Sequence, residues 1–286
     1  LKGLIGGNAV TEVIADPSAG IEAVEAIGIP LAGTIPQTVF VAFQLMFAII
    51  TVALISGAVA DRLKFGGWLV FAGLWAILGK RMGWPTTPMR PHNLPFVMLG
   101  AGLLWFGWYG FNAGSAVGSG GIAGTTFITT TVATAAAMLG WLLTEKIRDG
   151  HPTTLGAASG IVAGLVAITP SCSSVNVVGA LAIGGGAGIL CALAVGLKFK
   201  LGFDDSLDVV GVHLVGGLFG TLMVGLVATA EAPAAVSGLF YGGGFDQLWR
   251  QAVGAFAVLG YSAIATAILA LIVKFTIGLR LDREDE

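Results

Sequence analysis

The chain has 286 residues, of which 56% are hydrophobic and 10% charged, with a mean hydropathy of +0.90 and a formal net charge of −2. A water-soluble domain carries about 25% charged residues, so this composition excludes a soluble globule. It also excludes a nucleic-acid binder, because no basic stripe is present. The solvent that suits such a chain is a bilayer, where backbone polar groups are satisfied within helices. The expected fold is therefore all-α, a polytopic transmembrane helix bundle, located in the cell membrane as a multi-pass protein.

In chain order, residues 1–35 mix Lys2, Glu12, Asp16, Glu22 and Glu25 with small apolar residues. They read as an extracytoplasmic segment ahead of the first span. Crossing a bilayer takes about 20 apolar residues. Runs of that kind are Gln37–Ala60, Leu94–Val117, Ile122–Leu143, the shorter Leu155–Ile168, Val177–Leu197, Val209–Ala230 and Ala252–Ile277. The transmembrane domain is thus expected over 36–279, followed by a cytoplasmic tail at 280–286. Gly66–Leu78 is apolar but only 13 residues long, a length that suits a half-span or a re-entrant piece.

Basic residues gather at Arg62/Lys64, Lys80/Arg81/Arg90, Lys146/Arg148, Lys198/Lys200 and Arg280/Arg283. From the second cluster onward, two spans separate each cluster from the next. The positive-inside rule then puts all of them on the cytoplasmic side and residues 231–251 outside. Only the interval between Arg62 and Lys80 breaks this order: one crossing would split the two clusters, and two crossings do not fit.

Within the spans, His213 is the most informative residue. An ionisable group at membrane depth usually faces the bundle interior and serves function; an imidazole can accept, donate or relay a proton. The plainer alternative is a hydrogen-bonded packing histidine. Asp208, just before it, is placed to cap the helix start. Phe43 and Phe47 are four apart and share a face, as do Phe111 and Ser115. Aromatic faces attract cations, and a hydroxyl accepts from an N–H donor, although phenylalanine at this spacing more often packs or meets lipid. Glycine pairs four apart, at 110/114, 160/164, 184/188 and 216/220, point to close helix packing. His92 and His151 fall in loops, and Cys172 and Cys191 lack metal-like or redox spacing. No phosphate loop, GxSxG or HExxH is present, so no enzyme, cofactor or metal site is expected.

Four long stretches carry a family likeness: residues 43–65 (FQLMFAIITVALISGAVADRLKF), 90–115 (RPHNLPFVMLGAGLLWFGWYGFNAGS), 156–170 (GAASGIVAGLVAITP) and 204–220 (DDSLDVVGVHLVGGLFG). With the closing Thr276–Arg280, they make the chain resemble the ammonium transporter (Amt/Mep/Rh) family, in its bacterial Amt branch, from Pro36 onward. The resemblance implies a homotrimer with one narrow pore per protomer and possible contact with a PII-type signalling protein on the cytoplasmic face. It implies that Phe43, Phe47 and Ser115 recruit ammonium at an outer vestibule. Phe47 and Phe111 would form the gate, and His213 would match the second of two pore histidines, with ammonia and the proton passing separately.

Three differences from the family pattern stand out. Spans that precede Pro36 in the family have no counterpart here. Neither does the family's longer stretch between Trp75 and Gly79, which supplies a vestibule tryptophan, an aspartate and the first pore histidine. The tail at 280–286 is also short. Two alternatives to conduction are an ammonium sensor and a non-conducting fragment of an Amt trimer.

Overall fold

The computed structural model describes residues 83–87 and 90–276, together with the backbone of Leu31–Ala32 and Ile35–Pro36. Those four residues form a two-residue antiparallel ladder, β1 (Leu31–Ala32) with β2 (Ile35–Pro36). The remainder of the described chain is helix and connecting turn. The expected span at 37–60, the apolar piece at 66–78, Phe43, Phe47 and the tail at 280–286 all lie outside the described residues.

Helix α1 spans Leu94–Asn112; Asn93 caps it by accepting from the Phe96 N–H at 3.1 Å. A 3-10 turn, Gly114–Ala116, ends it. Helix α2 spans Gly121–Asp149, about 44 Å at 1.5 Å per residue. It runs six residues beyond the expected Leu143. Lys146 and Arg148 sit in its last turn, where cations suit the helix dipole, and Arg148 also donates to the Ala192 carbonyl at 2.7 Å.

Helix α3 spans Thr154–Ile168, and α4 spans Val177–Ala194; Thr153 and Asn176 cap them. A short α5 follows at Leu197–Leu201. The next span opens as a π-helical turn, Val210–Leu214, and continues as α6, Val215–Val227. The last, α7, spans Asp246–Thr276. It begins six residues before the expected Ala252, because Asp246 suits the helix start and pairs with Arg250 one turn on, at 2.8 Å.

Among the described residues, five helical segments have the length and apolarity to cross a membrane: Leu94–Ala116, Gly121–Asp149, Val177–Leu201, Val210–Val227 and Asp246–Thr276. With 15 residues, α3 reaches about 22 Å, short of the roughly 30 Å hydrocarbon core. It tolerates this because protein surrounds it: Ala163, Leu165, Ala167 and Ile168 are fully buried.

The core is α2, α3 and α4 packed on one another, with α6 against α3 and α4, α1 against α3 and α7 against α6. Small residues allow this. A Cβ on Gly164 would lie 2.7 Å from the Ala137 Cβ, and Cβ atoms on Gly184 and Gly188 would run into the carbonyls of Ala133 and Ala137. The backbones of α2 and α4 therefore touch with nothing between them. Not every glycine pair serves this role: a Cβ on Gly110 would meet open space among the described residues.

Candidate functional site

At its Phe111 end, α1 is held by polar ties. The Trp108 indole N–H donates to Thr169 Oγ1 at 2.8 Å, at the end of α3. The Tyr109 hydroxyl and Thr131 Oγ1 lie 2.9 Å apart, and the Tyr109 ring stacks on Phe127 with centroids at 4.0 Å. Asn112 Nδ2 donates to Thr130 Oγ1 at 3.0 Å. Trp and Tyr groups taken out of water need such partners; the end of α3 supplies that of Trp108, and a threonine-rich face of α2 supplies those of Tyr109 and Asn112. Thr129 and Thr134 spend their own hydroxyls on the carbonyls of Cys172 and Thr130 at 2.7 Å each, which suits polar side chains where water is scarce.

On this fixed end stand two of the expected site residues. Phe111 is half-buried, its ring 5.2 Å from Trp108. Ser115 is exposed in the following 3-10 turn, and its hydroxyl donates to the Phe111 carbonyl. With its proton so used, the Ser115 oxygen keeps lone pairs to offer a donor. The structure thus brings Phe111 and Ser115 together. Trp108, Tyr109 and Asn112, which the sequence reading did not single out, hold them there. The available signal was an aromatic and amide run inside an otherwise apolar span.

His213 lies in the π-helical turn, half-buried, on a segment that packs against α3 and α4. Its neighbour Val212 belongs to a buried cluster with Trp141, Ala163, Cys191 and Ala192. A π turn inserts one residue and rotates the rest of the helix about its axis, a distortion often found at functional sites. Apolar periodicity carries no warning of it. The segment of Phe111 and that of His213 share α3 as a common neighbour.

The cap of the His213 segment is not Asp208, contrary to expectation. Asp205 accepts from the N–H groups of Val209 and Val210 at 2.9 and 2.7 Å. Asp208 adopts a left-handed backbone, φ 56°, which turns its side chain to another task. Its carboxylate takes a bond from Lys198 Nζ at 2.6 Å, and the same ammonium donates to the Asp205 carbonyl at 2.9 Å. Burial raises the Asp208 carboxyl above its ordinary value, against the pull of Lys198. Lys198 therefore ties α5 to the start of the His213 segment.

Beside this pair opens a cavity of about 740 Å³, lined in part by Arg90, His92, Ser159 and Ser206 and walled by Trp84. Trp84 stacks on Phe199 at 5.0 Å. His151 is exposed and rests against the Asp149 carbonyl at 3.1 Å. Among the described residues, no three His, Cys, Asp or Glu side chains converge as metal ligands would.

The sequence profile of the Ammonium Transporter Family matches residues 18–78 and 76–286. The chain belongs to the ammonium transporter family. An ammonium transporter of Mycobacterium bovis is 66% identical, with all of this chain and 71% of the relative covered. The Saccharomyces cerevisiae Mep2 structure superposes with a TM-score of 0.78 at 31% identity, covering 88% of this chain and 68% of that one. A sensor Amt protein superposes with a TM-score of 0.67 at 32% identity, over 77% of this chain and 55% of that one.

Family membership with several apolar crossing helices makes this a multi-pass plasma-membrane protein, and the Mycobacterium bovis relative is named as a transporter. The two profile matches meet at residues 76–78. The Mycobacterium alignment runs over 345 positions against 286 residues, so at least 59 of its positions have no residue here. The junction of the two profile matches falls where the basic clusters break the topology.

Proposed function

We propose that this member of the family carries ammonium across the membrane by recruiting it at an aromatic mouth, removing a proton and passing ammonia along a histidine-lined, water-poor route. In this reading Phe43, Phe47 and Ser115 form the mouth, Phe47 and Phe111 the gate, and His213 the lining. Asp208 supports it through Lys198. The protein works as a homotrimer, and its cytoplasmic face is available to a PII-type signalling protein.

The observation that carries the proposal is the setting of His213: a half-buried imidazole on a distorted turn of an 18-residue apolar span. Taking a bare cation into such a place costs far more than taking in a neutral amine with hydrogen-bond partners. Splitting ammonium into ammonia and a proton avoids that cost. The Phe111 ring and the free lone pairs of Ser115 suit the charged form before the split.

A second reading is a protein that binds ammonium as a sensor without conducting it. Two observations favour it: the sensor Amt neighbour, and the absence from this chain of the stretch in which the resemblance puts the first pore histidine. Methylammonium uptake by an ammonium-transport-deficient host decides between them. Conduction predicts saturable uptake by the 286-residue chain, cut at least tenfold in His213→Ala at equal membrane abundance. No uptake from a chain present in the membrane at normal abundance overturns conduction.

A further inference from the structure

The buried polar groups of α1 include one that the packing leaves unused. Asn112 is only 6% exposed, yet its Oδ1 has no hydrogen-bond partner among the described residues. Buried polar atoms are nearly always satisfied, and an exception asks for a reason. Here the other end of the same amide is engaged, with Nδ2 donating to Thr130 Oγ1 at 3.0 Å. The bond to α2 fixes the amide and leaves its oxygen as an acceptor held in place.

The position adds to the chemistry. Asn112 directly follows Phe111 as the last residue of α1 and lies three residues before Ser115, which stands in the 3-10 turn that ends the helix. Ser115 has already spent its proton on the Phe111 carbonyl. Two oxygens that keep lone pairs and have no proton to offer therefore lie within four residues of Phe111 along the chain, Ser115 Oγ exposed and Asn112 Oδ1 buried. A carboxamide oxygen can only accept, which excludes an anion as its natural partner. The chemistry that fits is a small N–H donor.

We propose that the carboxamide oxygen of Asn112 is a further binding group for the transported species, accepting an N–H as ammonium passes inward from Ser115. This rests on the recruitment reading given above. The amide gives the ion a second acceptor just as the exposed one and bulk water are left behind, and it neither accepts nor delivers a proton there.

The alternative role for Asn112 is a purely structural tie to Thr130, and two variants separate the two. Asn112→Leu removes the acceptor and the tie together; Thr130→Val removes the tie and leaves the acceptor. The primary readout is binding, followed as the rise in melting temperature of the purified full chain on adding ammonium chloride, with sodium chloride as control. Methylammonium uptake is the second readout. The proposal expects Asn112→Leu to weaken apparent ammonium affinity by tenfold or more and to raise the uptake KM with it. It expects Thr130→Val to lower the melting temperature while keeping the affinity within twofold of wild type.

Wild-type affinity in Asn112→Leu overturns the proposal, as does an equal loss of affinity in both variants. A wild-type chain that binds ammonium but does not take up methylammonium defeats conduction and leaves the Asn112 assignment standing. A wild-type chain with no ammonium response defeats both.

Discussion

Two aspartates three residues apart divide the work at the start of the His213 segment. From the sequence the cap is expected at Asp208, the carboxylate nearer the helix; in the structure it is Asp205. The left-handed backbone at Asp208 decides between them, and no composition or period encodes that choice. Asp205 holds two helix N–H groups, and losing such a cap costs about 0.5–2 kcal/mol. Asp205→Ala should therefore lower the melting temperature in detergent, whereas Asp208→Ala should leave the cap in place.

Asp208 should show itself through pH instead. Its native carboxyl titrates above the ordinary carboxylate value because of burial. The folded state thus binds its proton more readily than the unfolded one. That contribution to stability is complete below the unfolded pKa and disappears as pH rises through the raised native pKa. Wild type should lose melting temperature across that window as pH rises, and Asp208→Asn should lack this component. Identical pH profiles in the two proteins would contradict the assignment.

The elements themselves were largely legible. Six of the expected spans appear as helices near their expected positions, because long uncharged apolar runs leave the backbone no other solution in a bilayer. The ends were less legible. The apolar runs stop at Leu143 and at Ala252, but the helices continue to Asp149 and back to Asp246, since charges at helix ends follow the dipole rather than the hydrocarbon boundary. The π turn at Val210–Leu214 and the break between α4 and α5 left no periodic signature at all.

Glycine pairs were legible as a packing signal but not as to which pairs pack. The contact between α2 and α4 offers a test with an internal control. A Cβ on Gly184 would collide with the Ala133 backbone, while one on its neighbour Gly185 meets nothing within 4 Å. Forcing extra volume into a packed contact costs about 1–3 kcal/mol. Gly184→Ala should lower the melting temperature clearly, and Gly185→Ala should leave it nearly unchanged. Equal effects would mean that α2 and α4 do not meet as described.

At the scale of the whole molecule, the charge rule assigns the basic last turn of α2 and the Lys198 region to the cytoplasmic side. The turn Leu239–Tyr241, with Phe240 69% exposed, belongs to the segment that the same rule puts outside. Single cysteines introduced into a Cys172→Ala, Cys191→Ala background should confirm the orientation. One at Gly150 should react with an impermeant thiol reagent only from the cytoplasmic side, and one at Phe240 only from outside. The aromatic mouth was legible only by family resemblance, and two of its phenylalanines lie outside the described residues. The buried amide behind it was not legible at all, because an unsatisfied atom is visible only once its surroundings are built.

The central claim is that His213 borders a narrow, water-poor passage that ammonium or ammonia reaches. Its most direct test is the thiol chemistry of His213→Cys in the same cysteine-free background, in sealed membrane vesicles. The account predicts reaction with a small neutral methanethiosulfonate, no reaction with a bulky maleimide, and a rate that falls as ammonium is added. A thiol that a bulky polar maleimide modifies freely, or one whose modification is indifferent to ammonium, would place position 213 in open solvent or against lipid and contradict the account.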